Sequence, residues 1–219
     1  MDTQADKVSK DRAELTFRMV QEAKFSNRHM AFNGPFKDEE WNEKAATVED
    51  KLGSGALLAL VGSRGTGKTQ MAHRAVVLHS EWIIKSTSDD DVICFPVKVM
   101  SLYSATYTRA MNIFIALRGS YNKDSGTSEE QIIRDHCRPK LLIIDEMHER
   151  GESTWEDRIL THIIDTRYGD MKDTILISNQ TVGEFAQQVG PSIISRLTET
   201  GGIIVCDWDS FRRSPTPAA

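Results

Sequence analysis

The chain of 219 residues has few cysteines, no long hydrophobic run and no excess of positive charge. Its three cysteines, Cys94, Cys137 and Cys206, form no C-x-x-C pair, which argues against a zinc site and favours a reducing compartment. No stretch approaches the ~18 consecutive apolar residues of a membrane span, and the N-terminus shows no signal-peptide pattern. We therefore expect a cytoplasmic protein without a membrane partner.

The charge balance is mildly acidic, with a formal net charge of −5 and an isoelectric point near 5.7. Such a balance argues against a protein that coats nucleic acid by bulk electrostatics, although it leaves room for a local basic groove. The composition, 39% hydrophobic and 27% charged, is ordinary for a globular protein, and the length fits one domain or one domain with a short extension.

The most specific motif is a complete G-x-x-x-x-G-K-[ST] phosphate-binding loop. It consists of Gly62, Ser63, Arg64, Gly65, Thr66, Gly67, Lys68 and Thr69. Its glycines let successive backbone N–H groups point at phosphate oxygens, and the helix that follows adds the positive end of its dipole. We expect Lys68 to reach the β- and γ-phosphates and the Thr69 hydroxyl to ligate Mg²⁺. The sequence therefore predicts a protein that binds a nucleoside triphosphate.

Strand-like and helix-like runs alternate along the chain, which predicts a parallel sheet covered by helices on both faces. The predicted strands are residues 57–61, 92–100, 141–144, 174–177 and 203–206. The predicted helices are residues 12–25, 37–52, 70–78, 102–118, 154–168 and 191–197, with another beginning near Ser128 after a loop at 120–127.

Two carboxylates directly follow the apolar strand 141–144. Asp145 is placed to hold Mg²⁺, directly or through water, and Glu146 to polarise a water toward the γ-phosphate as a general base. Adjacent carboxylates repel each other unless a cation lies between them, so their pairing supports a metal site; the alternative is a solvated acidic turn. Asn179 ends the next strand and is a candidate for orienting the attacking water, the alternative being an ordinary strand-terminating asparagine.

The predicted helix 191–197 carries one cation, Arg196, among apolar residues. A guanidinium is always charged and matches the geometry of phosphate. In an oligomer this arginine could reach the γ-phosphate bound by a neighbouring copy, whereas the alternative is a salt-bridged arginine on the surface.

Residues 194–202 and 208–212 resemble the C-terminal signature of the DnaC-type replicative helicase loaders and of the related IstB-like ATPases of IS21-type transposons, both AAA+ ATPases. The similarity extends over roughly residues 50–213 and includes 141–146 and 177–180. It implies an AAA+ P-loop fold of the ASCE type, three-layer α/β/α with a five-stranded parallel sheet. It also implies that Arg196 is an arginine finger, Asn179 sensor 1 and Arg212 the sensor 2 arginine.

The resemblance also implies ligands and partners. These are ATP, Mg²⁺, a replicative DNA helicase, single-stranded DNA and further copies of the chain, associated through the ATP interface. Residues 101–136 fall where initiator-type relatives carry a helical insertion that engages single-stranded DNA. Candidate DNA contacts are Lys98, Tyr103, Tyr107, Arg109 and Arg118, because aromatic stacking and cations hold single strands. The alternative is ordinary packing of the tyrosines and a solvated basic face.

We divide the chain into an N-terminal tail with a short helical segment (1–30), the AAA+ domain (31–213) and a disordered tail (214–219). Seven residues follow Arg212, so we expect the helical lid to be absent or vestigial and nucleotide closure to depend on a neighbouring subunit. The segment 12–30 is either a reduced helicase-binding element or a helix packed on the core.

The favoured function is an ATP-hydrolysing helicase loader, slow alone and stimulated by DNA or a partner. The nearest alternative is a transposition helper that forms ATP-dependent filaments on duplex DNA. A small-molecule P-loop kinase fits the length, but Asp145, Glu146, Asn179 and Arg196 suit water activation better than transfer to a metabolite. A nucleotide-switched binding module with negligible turnover is a further alternative, against which Glu146 argues.

Overall fold

A computed structural model describes residues 14, 16–31, 38–86, 105–121, 126–151 and 153–212. The strands in these ranges are β1 (Leu57–Val61), β2 (Ala105–Arg109), β3 (Leu141–Asp145), β4 (Asp173–Ser178) and β5 (Gly202–Val205). The helices are α1 (16–22), α2 (Asn27–Met30), α3 (Glu39–Lys51), α4 (Lys68–Ser86), α5 (Ala110–Ser120), α6 (Glu129–Cys137), α7 (Thr154–Gly169) and α8 (Val182–Thr200), and a 3₁₀ turn covers Met147–Glu149. Within these ranges, no helix combines the length and apolar character needed to cross a membrane.

The strands form one parallel sheet in the order β2-β3-β4-β1-β5. Val61 of β1 pairs with Ser178 of β4, and Ile144 of β3 pairs with Leu176, which also belongs to β4. Because all strands run the same way, the loops that follow β1, β3 and β4 emerge at one edge of the sheet. The predicted five-stranded parallel α/β fold is confirmed.

Helices cover both faces of the sheet because the central strands are apolar on both sides. On one face Leu58 and Leu60 pack with α3, α4 and residues 16–31, which we call the N-terminal segment. On the other face Leu57 and Ala59 pack with α5 to α8. All residues of β1, β3 and β4 are buried, which holds the sheet edge in a fixed position.

The N-terminal segment is part of the first of these two cores. Its residues Met19, Val20, Ala23 and Phe25 are all buried. The Ala23 carbonyl accepts a hydrogen bond of 2.7 Å from the backbone N–H of Tyr107, on the edge strand β2. Within residues 16–31 the structure shows helices packed on the core, while a helicase-binding role of this segment stays a prediction.

The prediction of a helix over 102–118 is wrong at its start, because residues 105–109 form β2 and the helix begins at Ala110. Thr106, Tyr107 and Thr108 favour extended backbone, and β2 gains a full ladder with β3. The predicted helix 191–197 is the second half of α8, which kinks at Gly190 (φ 80°) before Pro191. The strand predicted at 92–100, with Cys94 and Lys98, lies outside the described residues, as do Tyr103 and the tail 214–219.

The entry into β1 is held by Asp173, the first residue of β4. Its buried carboxylate accepts hydrogen bonds from the backbone N–H groups of Gly53 (2.7 Å), Gly55 (3.0 Å) and Ala56 (2.8 Å). One side chain thus fixes the turn that leads into the strand before the phosphate-binding loop.

We predict that Asp173→Ala destabilises the protein by about 3–5 kcal/mol, because it leaves three N–H donors without their acceptor. Asp173→Asn keeps one acceptor and should cost less. Urea denaturation measures the free energy of unfolding. Asp135→Ala, on the exposed face of α6, is the control and should stay within about 0.5 kcal/mol of the unsubstituted chain; equal losses for both alanine variants would contradict the capping role.

Candidate nucleotide-binding site

The phosphate-binding loop joins β1 to α4 and borders a cavity of about 640 Å³. Gly62, Gly65 and Gly67 have φ of 139°, 89° and 81°, a region that only glycine enters freely. A Cβ on Gly62 would lie 2.0 Å from the Cys206 carbonyl oxygen, and one on Gly65 would lie 1.9 Å from Ser210 Oγ. The glycines are therefore required both by the turn and by the chain that passes beside it.

Lys68 is 4% exposed and lies inside the loop. Its Nζ donates to the carbonyl oxygens of Gly62 (2.8 Å) and Ser63 (2.6 Å). Burial lowers the pKa of Lys68, with the charge of Asp145 among the effects that oppose the shift. Phosphate oxygens are stronger acceptors than these carbonyls because they are negatively charged, so both partners of their hydrogen bond to the ammonium group are ionised. The arrangement thus presents a cation that can pass from the loop carbonyls to a phosphate.

Thr69 and Asp145, the two predicted magnesium ligands, are in direct contact. The Thr69 hydroxyl donates to Asp145 Oδ2 at 2.8 Å, and the Glu146 N–H donates to Oδ1 at 2.7 Å. Both side chains supply the hard oxygen ligands that Mg²⁺ takes. Among the residues described, no group of three or more His, Cys, Asp or Glu forms a metal site. The oxygen atoms of Thr69 and Asp145 fit a Mg²⁺ ion that would take its remaining ligands from nucleotide phosphates and water.

Glu146 adopts a left-handed backbone conformation (φ 54°, ψ 45°), which is strained for a residue with a Cβ. Its Oε2 lies 3.1 Å from Nε of Arg109, at the end of β2. Burial raises the pKa of Glu146, and the charge of Arg109 acts in the opposite direction. The candidate general base is thus paired with a cation through one of its two oxygens.

Asn179 follows β4, which lies between β1 and β3, and it lines the same cavity. Its Nδ2 is 3.5 Å from Nε2 of His148, on the 3₁₀ turn after Glu146. Arg64 of the phosphate-binding loop reaches the same ring nitrogen at 3.4 Å. Burial lowers the pKa of His148. Sequence reasoning missed His148, which belongs to no motif and enters the site only through the turn.

The two candidate arginines occupy different places. Arg212 lines the cavity. Arg196 is not among the residues that line it and lies on α8, where it donates to Ser192 Oγ (2.7 Å), pairs with Asp165 (3.1 Å) and lies over the ring of Tyr168. The structure therefore brings Arg212 to the phosphate-binding loop of the same chain and keeps Arg196 away from it.

Three of the candidate DNA contacts have partners within the chain. Tyr107 donates its hydroxyl to Asp145 Oδ2 at 3.0 Å and packs its ring on Phe25, so that face of the ring cannot stack on a base. Arg109 pairs with Glu146, and Arg118 pairs with the buried Glu156 at 2.6 Å. Tyr107 and Arg109 thus belong to the nucleotide site.

The segment after β5, residues 207–212, runs along the phosphate-binding loop; among these residues the resemblance assigns a role in the site only to Arg212. The Trp208 indole N–H donates to the Thr66 carbonyl at 3.0 Å, and the Phe211 N–H donates to the Gly65 carbonyl at 2.9 Å. From the other side, the Trp41 indole N–H of α3 donates to the Gly67 carbonyl at 3.3 Å. Donors from both sides therefore occupy the loop carbonyls of Gly65, Thr66 and Gly67.

The N-terminal segment also reaches the site. Its residues Ser26, Arg28, His29 and Ala31 line the cavity beside the phosphate-binding loop. Burial lowers the pKa of His29, while the charge of Asp145 opposes that shift. No pattern in the sequence of this segment pointed to the nucleotide site.

The sheet order and this site together define the AAA+ P-loop fold. No family model matches the chain. The solved structure of DnaI aligns with a TM-score of 0.61 at 16% identity, covering 89% of this chain and 100% of that one. The replication initiator DnaA, bound to AMPPCP and single-stranded DNA, aligns with a TM-score of 0.58 at 20% identity, covering 85% and 52%.

Among curated proteins, the chain is similar to the replicative helicase loader DnaC of Escherichia coli K12. The two are 28% identical over 170 residues, which are 77% of this chain and 61% of DnaC. The chain therefore matches about three fifths of the length of this relative. The resemblance to DnaC-type helicase loaders and AAA+ replication proteins is confirmed.

We predict that Trp208→Phe weakens nucleotide binding about fivefold, because the lost indole N–H is worth roughly 1 kcal/mol and leaves the Thr66 carbonyl free to turn toward the cavity. Titration with a fluorescent ATP analogue measures the change. Trp155→Phe is the matched control, since Trp155 packs on Phe114 and Tyr121. Equal weakening in both variants would show a general loss of packing.

Proposed function

We propose that this chain is a cytoplasmic ATPase of DNA replication that uses Mg·ATP to load a replicative helicase onto single-stranded DNA. The observation that carries the proposal is that Lys68, the Thr69–Asp145 pair and Asn179 meet at one cavity in a chain similar to DnaC. The DnaA structure with AMPPCP and single-stranded DNA supports the choice of nucleotide and of DNA.

Each side chain has a defined task in this proposal. Lys68 and the backbone N–H groups of the loop bind the phosphates, while Thr69 and Asp145 hold the metal ion. When bound, Mg²⁺ would neutralise charge on the β- and γ-phosphates. Glu146 accepts a proton from the attacking water, and Asn179 orients that water.

The ion pair between Glu146 and Arg109 supports slow turnover by the chain alone. The carboxylate is 3.1 Å from the guanidinium, so a water molecule must compete with a cation for the base. A partner that draws Arg109 away, such as an anionic polynucleotide, would free Glu146. This accounts for stimulation by DNA within the proposed function.

The test is a loading assay with the replicative helicase of the same host and circular single-stranded DNA. We expect the chain with Mg·ATP to increase the helicase bound to DNA, and Lys68→Ala to give no increase and no nucleotide binding. Glu146→Gln should bind ATP while hydrolysis falls at least about 100-fold, the usual contribution of a general base. Glu130→Gln, on the exposed face of α6, is the control.

The same assay separates the alternatives. A transposition helper would form ATP-dependent filaments on long duplex DNA and leave the helicase unaffected. A kinase would transfer the γ-phosphate to a metabolite, so that the phosphate released would fall short of the ATP consumed. Either result, with no helicase loaded, would overturn the proposal.

Arg196 is proposed to act on the nucleotide of a neighbouring copy, and its place outside the cavity of its own chain supports this. We predict that Arg196→Ala keeps nucleotide binding and loses stimulated hydrolysis. Mixing it with Lys68→Ala should restore part of the activity, because one variant supplies the intact finger and the other the intact site. Phosphate release by the mixtures is the measurement.

The control for Arg196 is Asp165→Asn, which removes the same ion pair and leaves the arginine in place. This variant should keep stimulated hydrolysis if Arg196 acts on nucleotide. If it behaves like Arg196→Ala, or if the mixtures never recover activity, Arg196 has a structural role on the surface of α8.

A further inference from the structure

The carboxylate of Asp145 has a third hydrogen-bond donor to which the proposed function gives no task. The Tyr107 hydroxyl donates to Oδ2 at 3.0 Å, the same oxygen that accepts from Thr69. With the Glu146 N–H on Oδ1, the carboxylate is held from three directions. Tyr107 thus contacts the carboxylate from β2, the strand beside β3.

The position of Tyr107 depends in turn on the N-terminal segment. The Phe25 ring stacks on the Tyr107 ring, with 4.4 Å between centroids and 27° between planes. The Tyr107 N–H donates to the Ala23 carbonyl at 2.7 Å. Phe25 is itself 7% exposed and lies edge-on to His73 of α4 at 5.1 Å. Backbone and side chain of Tyr107 are therefore both tied to one short segment.

The phenol group of Tyr107 is suited to act as a hydrogen-bond donor in a fixed position. The hydroxyl of a tyrosine carries one proton at physiological pH and can donate one hydrogen bond. A carboxylate accepts such a hydrogen bond strongly because its charge assists the interaction. Groups that hold a metal-binding side chain commonly affect metal affinity 10–100-fold when they are lost.

We propose that Tyr107 is a positioning residue that orients Asp145 toward the magnesium ion, and that the N-terminal segment sets Tyr107 through Phe25. This inference rests on the proposed function, because it takes Asp145 as a ligand of Mg²⁺. Movement of the N-terminal segment then weakens Mg·nucleotide binding, and by linkage Mg·nucleotide binding holds the segment in place.

The test compares the dissociation constant of a fluorescent ATP analogue in Mg²⁺ with that in EDTA. Tyr107→Phe keeps the stacked ring and loses the hydroxyl, so it should lower the Mg²⁺-dependent gain in affinity about tenfold and leave the EDTA value unchanged. Phe25→Leu should act in the same direction but less. The double variant should be no worse than Tyr107→Phe, because both act through one hydrogen bond.

The matched control is Tyr121→Phe, which removes an exposed hydroxyl that donates to Glu129 at 2.7 Å and should leave both constants unchanged. A second readout is trypsin cleavage after Arg18, Lys24 or Arg28. Mg²⁺ with the ATP analogue should slow cleavage in the unsubstituted chain and in Tyr121→Phe, and should fail to slow it in Tyr107→Phe.

Each result decides a separate point. Equal loss of affinity in Mg²⁺ and in EDTA would reduce Tyr107 to a packing role, and no loss at all would remove it from the site. A normal Phe25→Leu variant would break the link to the N-terminal segment. If the unsubstituted chain binds nucleotide no better in Mg²⁺ than in EDTA, the proposed function is wrong. This inference, which depends on it, is then wrong as well.

Discussion

The hydrogen bond between Thr69 and Asp145 joins two parts of the chain that are 76 positions apart. It forms because β1 and β3 run parallel on either side of β4, so the residues that follow each strand emerge at the same edge. The loop, the carboxylates and Asn179 have fixed relative positions only while that sheet is intact. Buried side chains on both faces of the central strands therefore hold the site together.

The site brings opposite charges into a partly dry environment. Lys68 and Asp145 are 4% and 5% exposed, and burial of a charge is unfavourable unless partners replace the lost water. In this chain the partners of Lys68 are loop carbonyls, and those of Asp145 are two hydroxyls and one N–H. A metal–phosphate complex could replace the carbonyls on Lys68 and the Thr69 hydroxyl on Asp145 without disturbing the sheet, while the Tyr107 hydroxyl and the Glu146 N–H stay on the carboxylate.

Two segments from outside the strand–loop–helix unit complete the surroundings of the nucleotide site. Residues 207–212 bind the carbonyls of the phosphate-binding loop, and the N-terminal segment packs on Tyr107 and borders the cavity. Each segment is tied to the site by a few hydrogen bonds and ring contacts, whereas the strands are tied to one another by continuous backbone pairing. Movement of either segment would therefore reach the groups that bind phosphate and metal.

The amino-acid sequence by itself determined the phosphate-binding loop, Asp145 with Glu146, and the alternation that yields a parallel sheet. These features are local, because each depends on the types and spacing of residues that lie within about ten positions of one another. Tertiary structure decided that 105–109 is a strand, since pairing with β3 along its whole length adds to the extended preference of its threonines and tyrosine. It also decided the roles of Tyr107, His148 and Trp208, because each depends on a contact between positions far apart in the chain, which no local pattern encodes.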